Sequence, residues 1–386
     1  MVGHPRPAQW VQAPACFQYS STWPELASTL TRHYDKKLRL DQEVKDTVRK
    51  ICAGHTSVLD KIQALSEFVA QVKTFPDIRH TGRWTGYQTN SAMESLEAGY
   101  GDSKSKTLLL AALLEEAGID CCPVAVAADN PFAFQPDWVS PSQFTHMILA
   151  VKHHPDFSGL SSFDVPALGK AIFVDPGSVH PAGHIRRNHF GRYALPFSYT
   201  ADLFKIRPCD PKRENFIRAS VKATLYPNGH LQASISTNAR GYWVTEQKKT
   251  FVDKTLDEAI EGYIRRRFYP SVPNVLIDEI THIEQTPTSA EQLHFRMTKL
   301  RYAESIAGTL LIYKPAHRPL NLELLNLKEK RKNPYFLRPA HCAEVVRTRI
   351  PEGMVVDEMP DPIEVKSPLG EYSSTHLTQP PLARDL

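Results

Sequence analysis

Nowhere does the chain contain an uninterrupted apolar run of the about 20 residues that a bilayer-spanning helix needs. Its start, MVGHPRPAQW, has no cationic stretch followed by an apolar one. A membrane span and an export signal are therefore not expected, and the cytoplasm is the expected location. An excess of one charge is missing too: 46 Lys and Arg against 42 Asp and Glu leave +4 without a long basic run. Nucleic acid is not an expected partner. Cysteine is sparse, with six residues (Cys16, Cys52, Cys121, Cys122, Cys209 and Cys342) and no CxxC pair. That pattern fits neither a disulfide scaffold nor a zinc site, and no metal or other cofactor is expected. Cys121 and Cys122 stand before a β-like run, and at least one of them reads as a small buried residue rather than half of a redox pair. Glycine is absent where a phosphate-binding loop would need it. GDSKSKT ends in Lys106 and Thr107, but Ser105 and Tyr100 occupy the glycine places, so nucleotide binding is excluded there.

What is present is an ordinary globular composition, 41% hydrophobic and 23% charged, over a length that suits two domains. Helical patterns run over Trp23 to Tyr34, over Gln42 to Cys52, and after Ser57, where Leu59, Ile62, Leu65, Phe68, Val69 and Val72 recur at helical spacing. Ile78 to Asn90 reads as a loop leading into a short helix at Ala92 to Glu97. Strands are expected at Pro123 to Ala127, Phe144 to Val151 and Ala171 to Val174, with loops at 129–143 and 153–170. Beyond residue 208 the texture becomes alternating. Phe216 to Tyr226 and Leu231 to Ser236 flank Pro227-Asn228-Gly229, a hairpin signal. A helical run at Leu256 to Phe268 interrupts short strand-like runs that continue to about Val365. The expected organisation is residues 1–208, a mostly β domain over 209–366, and a loosely ordered tail over 367–386.

One stretch organises the first half: Gly99-Tyr100-Gly101-Asp102-Ser103-Lys104-Ser105-Lys106-Thr107, running directly into Leu108 to Leu114. Two glycines permit a tight turn, Asp102 or Ser103 can cap a helix, and Leu108, Leu109, Ala111, Ala112 and Leu113 give that helix a buried face. Ser103 is thus expected at a helix N-terminus, where unpaired N–H groups and the helix dipole lower the energy of an anion. Lys104 and Lys106 flank the tip and either favour an anion there or face water.

The run GYGDSKSKTLLLAALLEEAGIDCCPVAV, then QFTHMILAV, then AIFVDPG resembles the transglutaminase-like superfamily, a rearranged relative of papain. The second half, with NPYFLRPAHCAEVVRTRIPEGMVVDEMP, is similar to the β region that follows such domains in bacterial proteins. The resemblance covers roughly residues 20 to 370 and implies an α+β fold, with a central helix packed on an antiparallel sheet and a mostly β domain after it. It implies a nucleophile at Ser103, a base at His146 and an orienting carboxylate at Asp175, acting on a peptide, a protein, an amide or an acyl thioester, the last free or on a carrier protein. In such a set imidazole takes the nucleophile's proton and the carboxylate fixes its tautomer. Water or an amine then accepts the acyl group. The resemblance places the 78–90 loop at the cleft, where Trp84 or Gln88 would supply an oxyanion donor or simply pack as an aromatic and a surface amide.

The family's nucleophile is cysteine, and here it is serine. An alcohol must lose its proton within the transition state, whereas a thiol ionises near neutral pH. Serine is therefore an introduced substitution, a natural nucleophile, or a natural loss of catalysis that leaves a peptide or carrier-protein binding module; the sequence leaves all three open. His146 could also be a satisfied strand histidine, and Asp175, before Pro176 and Gly177, a turn former. His180, His184 and His189 are close in sequence but lack an acidic or thiolate partner there, which favours a polar loop over a metal site. Arg186 and Arg187 beside them would bind an acidic group or solvate that loop.

Overall fold

The computed structural model describes residues 22–74, 89–129, 132–177, 182–241, 244, 258, 262, 275–285, 290–315 and 339–378. These fall into two compact units that divide between Cys209 and Asp210. The chain is mixed α+β, with several helices and a six-stranded antiparallel sheet in the first unit.

That unit opens with α1 (Trp23–Asp35), α2 (Gln42–Ala53) and α3 (Val58–Ala70), each started by a side chain that accepts an N–H of the first turn: Thr22, Asp41 and Ser57. A two-residue strand, β1 (Lys73–Thr74), precedes α4 (Ala92–Ala98), which begins with a reciprocal Ser91–Glu94 capping box. Then come β2 (Tyr100–Gly101) and α5 (Ser103–Glu116). β1 and β2 pair in parallel, Thr74 opposite Gly101. A Cβ on Gly101 would lie 2.9 Å from the Ser105 Cβ, so only glycine lets this strand lead so tightly into α5.

The sheet has the order β5 (Phe163–Val165), β6 (Gly169–Val174), β4 (His146–Lys152), β3 (Cys121–Val126), β7 (Tyr193–Pro196), β8 (Phe204–Lys205). β5 lies inside a segment whose sequence reads as loop, and it is too short to show a period. Helix α5 is buried without interruption from Ser105 to Leu114, more than the one-sided helix its pattern suggests. Leu149, Val151, Ile172 and Val174 on one sheet face pack into a core with Leu109, Leu110 and Leu113 of α5 and with α2 and α3. Val124, Ile148, Ala150 and Phe173 on the opposite face, continued by Phe163 of β5, pack with Ile185 and Ile206. With both faces covered, β4 is buried from Met147 to Val151 and presents His146 only at its end.

In the second unit a short helix, α6 (Pro211–Glu214), precedes β9 (Phe216–Leu225) and β10 (Leu231–Arg240). These two form the hairpin expected around Asn228-Gly229, with Gly229 at φ 76°. β11 (Val275–Gln285), β12 (Ala290–Lys299) and, after the small pair β13 (Glu304–Ile306) and β14 (Leu310–Ile312), β15 (His341–Arg349) complete a five-stranded sheet. Its order is β11-β12-β10-β9-β15, with β15 parallel to β9. Alternate residues Ile217, Ala219, Val221, Ala223 and Leu225 supply its core face. In the segment read as a loose tail, β17 (Gly370–Ser374) instead pairs with β16 (Ile363–Ser367). The helical run expected over Leu256 to Phe268 lies outside the described residues except for 258 and 262.

Candidate active site

The start of α5 fixes the first side chain. Asp102 is the N-cap, and its Oδ1 accepts the N–H groups of Lys104 (3.0 Å) and Ser105 (2.9 Å) while Lys104 Nζ pairs with Oδ2. The cap does not use the N–H of Ser103, the first helical residue. One turn on, the Thr107 hydroxyl is shared between two carbonyls, Ser103 O at 2.7 Å and Met147 O at 3.1 Å. This link fastens the helix tip to β4 one residue beyond His146. It has no signature in the sequence, because a threonine at the start of a helix's second turn reads as ordinary.

His146 begins β4, and Asp175 follows the last residue of β6, its neighbour in the sheet. The His146 Nε2–H donates to Asp175 Oδ2 at 3.0 Å, which leaves Nδ1 as the ring's proton acceptor. Asp175 is buried, 1% exposed, and every oxygen is engaged: Oδ1 accepts the Gly177 N–H at 3.1 Å and Oδ2 also accepts Arg186 Nε at 2.9 Å. Burial alone would raise this carboxyl's pKa; the His146 hydrogen bond and the charges of His146, Arg186 and His189 outweigh it and hold it below the usual carboxylate range.

Gly177 shows how closely the three expected residues meet. A Cβ built on it would stand 3.4 Å from Asp175 Oδ1, 3.7 Å from His146 Cε1 and 3.7 Å from Ser103 Cβ. Ser103 Cβ and the imidazole carbon are therefore no farther apart than twice that last distance. A methyl group at position 177 would be in van der Waals contact with all three groups.

Two further residues join them. Arg186 Nη2 donates to Gly177 O at 2.8 Å, so one guanidinium holds both the carboxylate and the turn that follows it. The ring of His189, 1% exposed, lies 5.2 Å from that of His146. The sequence places Arg186 and His189 in a polar loop, and only the return of this segment along the sheet carries them to Asp175. His146, Asp175 and His189 bring potential metal-binding atoms within 4.8 Å of one another. A cation there would compete with the Arg186 guanidinium for Asp175 Oδ2, so the chemistry is that of an ion-paired network. Of the other residues singled out, Trp84, Gln88 and His180 lie outside the described residues. Lys106, read as flanking the tip or facing water, is 3% exposed.

No family model matches the sequence, and no curated protein matches it. A crystal structure from Parabacteroides distasonis, described as a "putative protease", is similar with a TM-score of 0.48 and 14% identity over 90% of this chain and 49% of that one. The chain spans about half the length of that protein. Among the described residues no helix is long and apolar enough to cross a membrane.

Proposed function

We propose that the chain is a transglutaminase-like acyl-transfer protein, with a catalytic-type domain over residues 1–208 and a mostly β domain over 209–366. Ser103 attacks the acyl carbon of a peptide, amide or thioester, His146 moves the protons, and Asp175 orients His146. The observation that carries this is the convergence of Ser103, His146 and Asp175 on the backbone of Gly177. The sequence run GYGDS, with its helix and its two following strands, supports the same assignment. The N–H of Ser103, outside the Asp102 cap, is available to the oxyanion of a tetrahedral intermediate. Water as acceptor gives hydrolysis; an amine gives a new amide.

The serine itself favours a second reading, a binding module for a peptide or a carrier-bound acyl chain in the same cleft. Ser103→Cys separates the two. If the site is built for acyl transfer, this variant is alkylated by iodoacetamide and acylated by p-nitrophenyl acetate well above the rate of a free thiol, and His146→Ala lowers both rates at least tenfold. Reaction at the free-thiol rate, indifferent to His146, leaves only the binding module.

A further inference from the structure

Arg186 binds two parts of the site at once. Its Nε donates to Asp175 Oδ2 at 2.9 Å and its Nη2 to Gly177 O at 2.8 Å, while Asp175 Oδ1 accepts the Gly177 N–H at 3.1 Å. The guanidinium therefore closes a ring of hydrogen bonds through the carboxylate and the turn after β6. A planar fork that engages two acceptors fixes direction as well as distance, which an ammonium on a flexible stem does not.

The chain that carries this fork is itself held in place. The Gly183 N–H donates to Phe173 O on β6 at 2.9 Å, and the 3-10 turn Arg187–His189 is closed by the His189 N–H on Arg186 O at 2.9 Å. Between them Ile185 is buried in the same core as Ile148 and Phe173 of the sheet. Gly183 has φ 82°, and a Cβ there would lie 2.6 Å from Leu160 Cδ1, so glycine is what lets the segment run so close.

Among the described residues, the charged and titratable groups about the Asp175 carboxylate are His146 on β4, Lys106 on α5, and Arg186 and His189 on the segment after β6. Lys106 is bonded to Thr74 Oγ1, and the His146 ring must be neutral whenever it is to accept a proton. Of these groups Arg186 is the one that is both charged at every pH and hydrogen-bonded to the carboxylate. A buried carboxylate needs such a partner to stay ionised.

Resting on the acyl-transfer reading above, we propose that Arg186 is a positioning residue for that reaction, holding the His146 imidazole and the turn beside Ser103 in place through Asp175 and Gly177. It takes no proton and forms no bond in the reaction. Its charge also has a consequence for pH. With the cation gone, the imidazole answers the Asp175 charge with less competition and holds a proton more tightly, so the site needs a higher pH to work.

The test follows acylation by p-nitrophenyl acetate in the Ser103→Cys form, as rate against pH and against ester concentration. Arg186→Met, of similar length, is expected to lower the plateau rate by about ten- to a hundredfold, in kcat rather than KM. It should also move the half-maximal point of the profile upward by about one pH unit. Arg186→Lys, which restores the charge without the fork, should return that point toward its original place and leave the rate low. Added to Asp175→Ala, Arg186→Met should cause no further loss. Thermal melts identify the temperature at which every variant is folded, and the rates are compared there. A rate lowered by the same factor at every pH, with the half-maximal point unmoved, makes Arg186 structural only and overturns the proposal. So does a further loss on top of Asp175→Ala, or a reactive and His146-dependent Ser103→Cys that is indifferent to Arg186→Met; in each case acyl transfer stands. Reaction of Ser103→Cys at the free-thiol rate overturns both.

Discussion

Asp175→Ala, placed in the Ser103→Cys form, is expected to slow acylation by p-nitrophenyl acetate by about a thousand- to ten-thousand-fold, the scale on which loss of an orienting carboxylate acts. The loss has a geometric cause. Without Oδ2 the His146 Nε2–H loses the carboxylate that fixes its tautomer, and the ring is no longer held in one orientation. Stability falls as well, because the Gly177 N–H and His146 Nε2–H, buried at Asp175, lose their acceptor, at about 1–3 kcal/mol for each left unpaired. Arg186, with 38% of its side chain exposed, can turn to water. The pH dependence has a definite sign. The folded-state pKa of Asp175 is depressed, so its contribution is complete above the unfolded value of about 3.9 and is lost as pH falls below it. The gap in melting temperature between the two proteins should accordingly be widest near neutrality and narrow in acid. A gap that widens in acid would mean that Asp175 is not held ionised by its partners.

Leu110→Ala is expected to cost about 2–5 kcal/mol without touching the chemistry. Leu110 is fully buried, in the part of α5 that contributes to the core shared by α2, α3 and one face of the sheet. A surrounding shell of Leu109, Leu113, Leu149 and Ile172, also fully buried, limits how far the cavity can collapse. At roughly 2–4 °C per kcal/mol for a unit of this size, calorimetry should register a drop large enough to separate this variant from any surface change. The same helix carries Ser103, so its loss of stability should be accompanied by loss of reactivity only at temperatures where the melt has begun. A loss of 0.5 kcal/mol or less would show that α5 is not the central element of the core.

The place of Ser103 at a helix start was legible because its signals are local: two glycines, a capping Asp102 and an apolar run are all that a helix start requires. His146 and Asp175 were legible less directly, as residues at the ends of strands whose antiparallel pairing closes the distance between them. Arg186 and His189 were not. Their segment has no period, and their approach to Asp175 depends on the turn held by Arg186 and Gly177. Of the two readings of Lys106, the one that has it face water does not hold. In SKSKT a lysine looks like part of a solvated face, whereas α5 is covered on all sides from Ser105 onward, so its amine was carried inside with the helix. The strand Tyr193–Pro196 forms against the edge of β3, and Phe204–Lys205 against the edge that Tyr193–Pro196 then offers, which short runs cannot announce by themselves.

The most direct test of whether Ser103, His146 and Asp175 act as one device is a double-mutant cycle in the Ser103→Cys form, following acylation by p-nitrophenyl acetate in His146→Ala, Asp175→Ala and the combined variant. If Asp175 works through His146, the combined variant should be no slower than His146→Ala alone. Two losses that multiply would mean that the imidazole and the carboxylate serve separate ends, and the common site would be refuted.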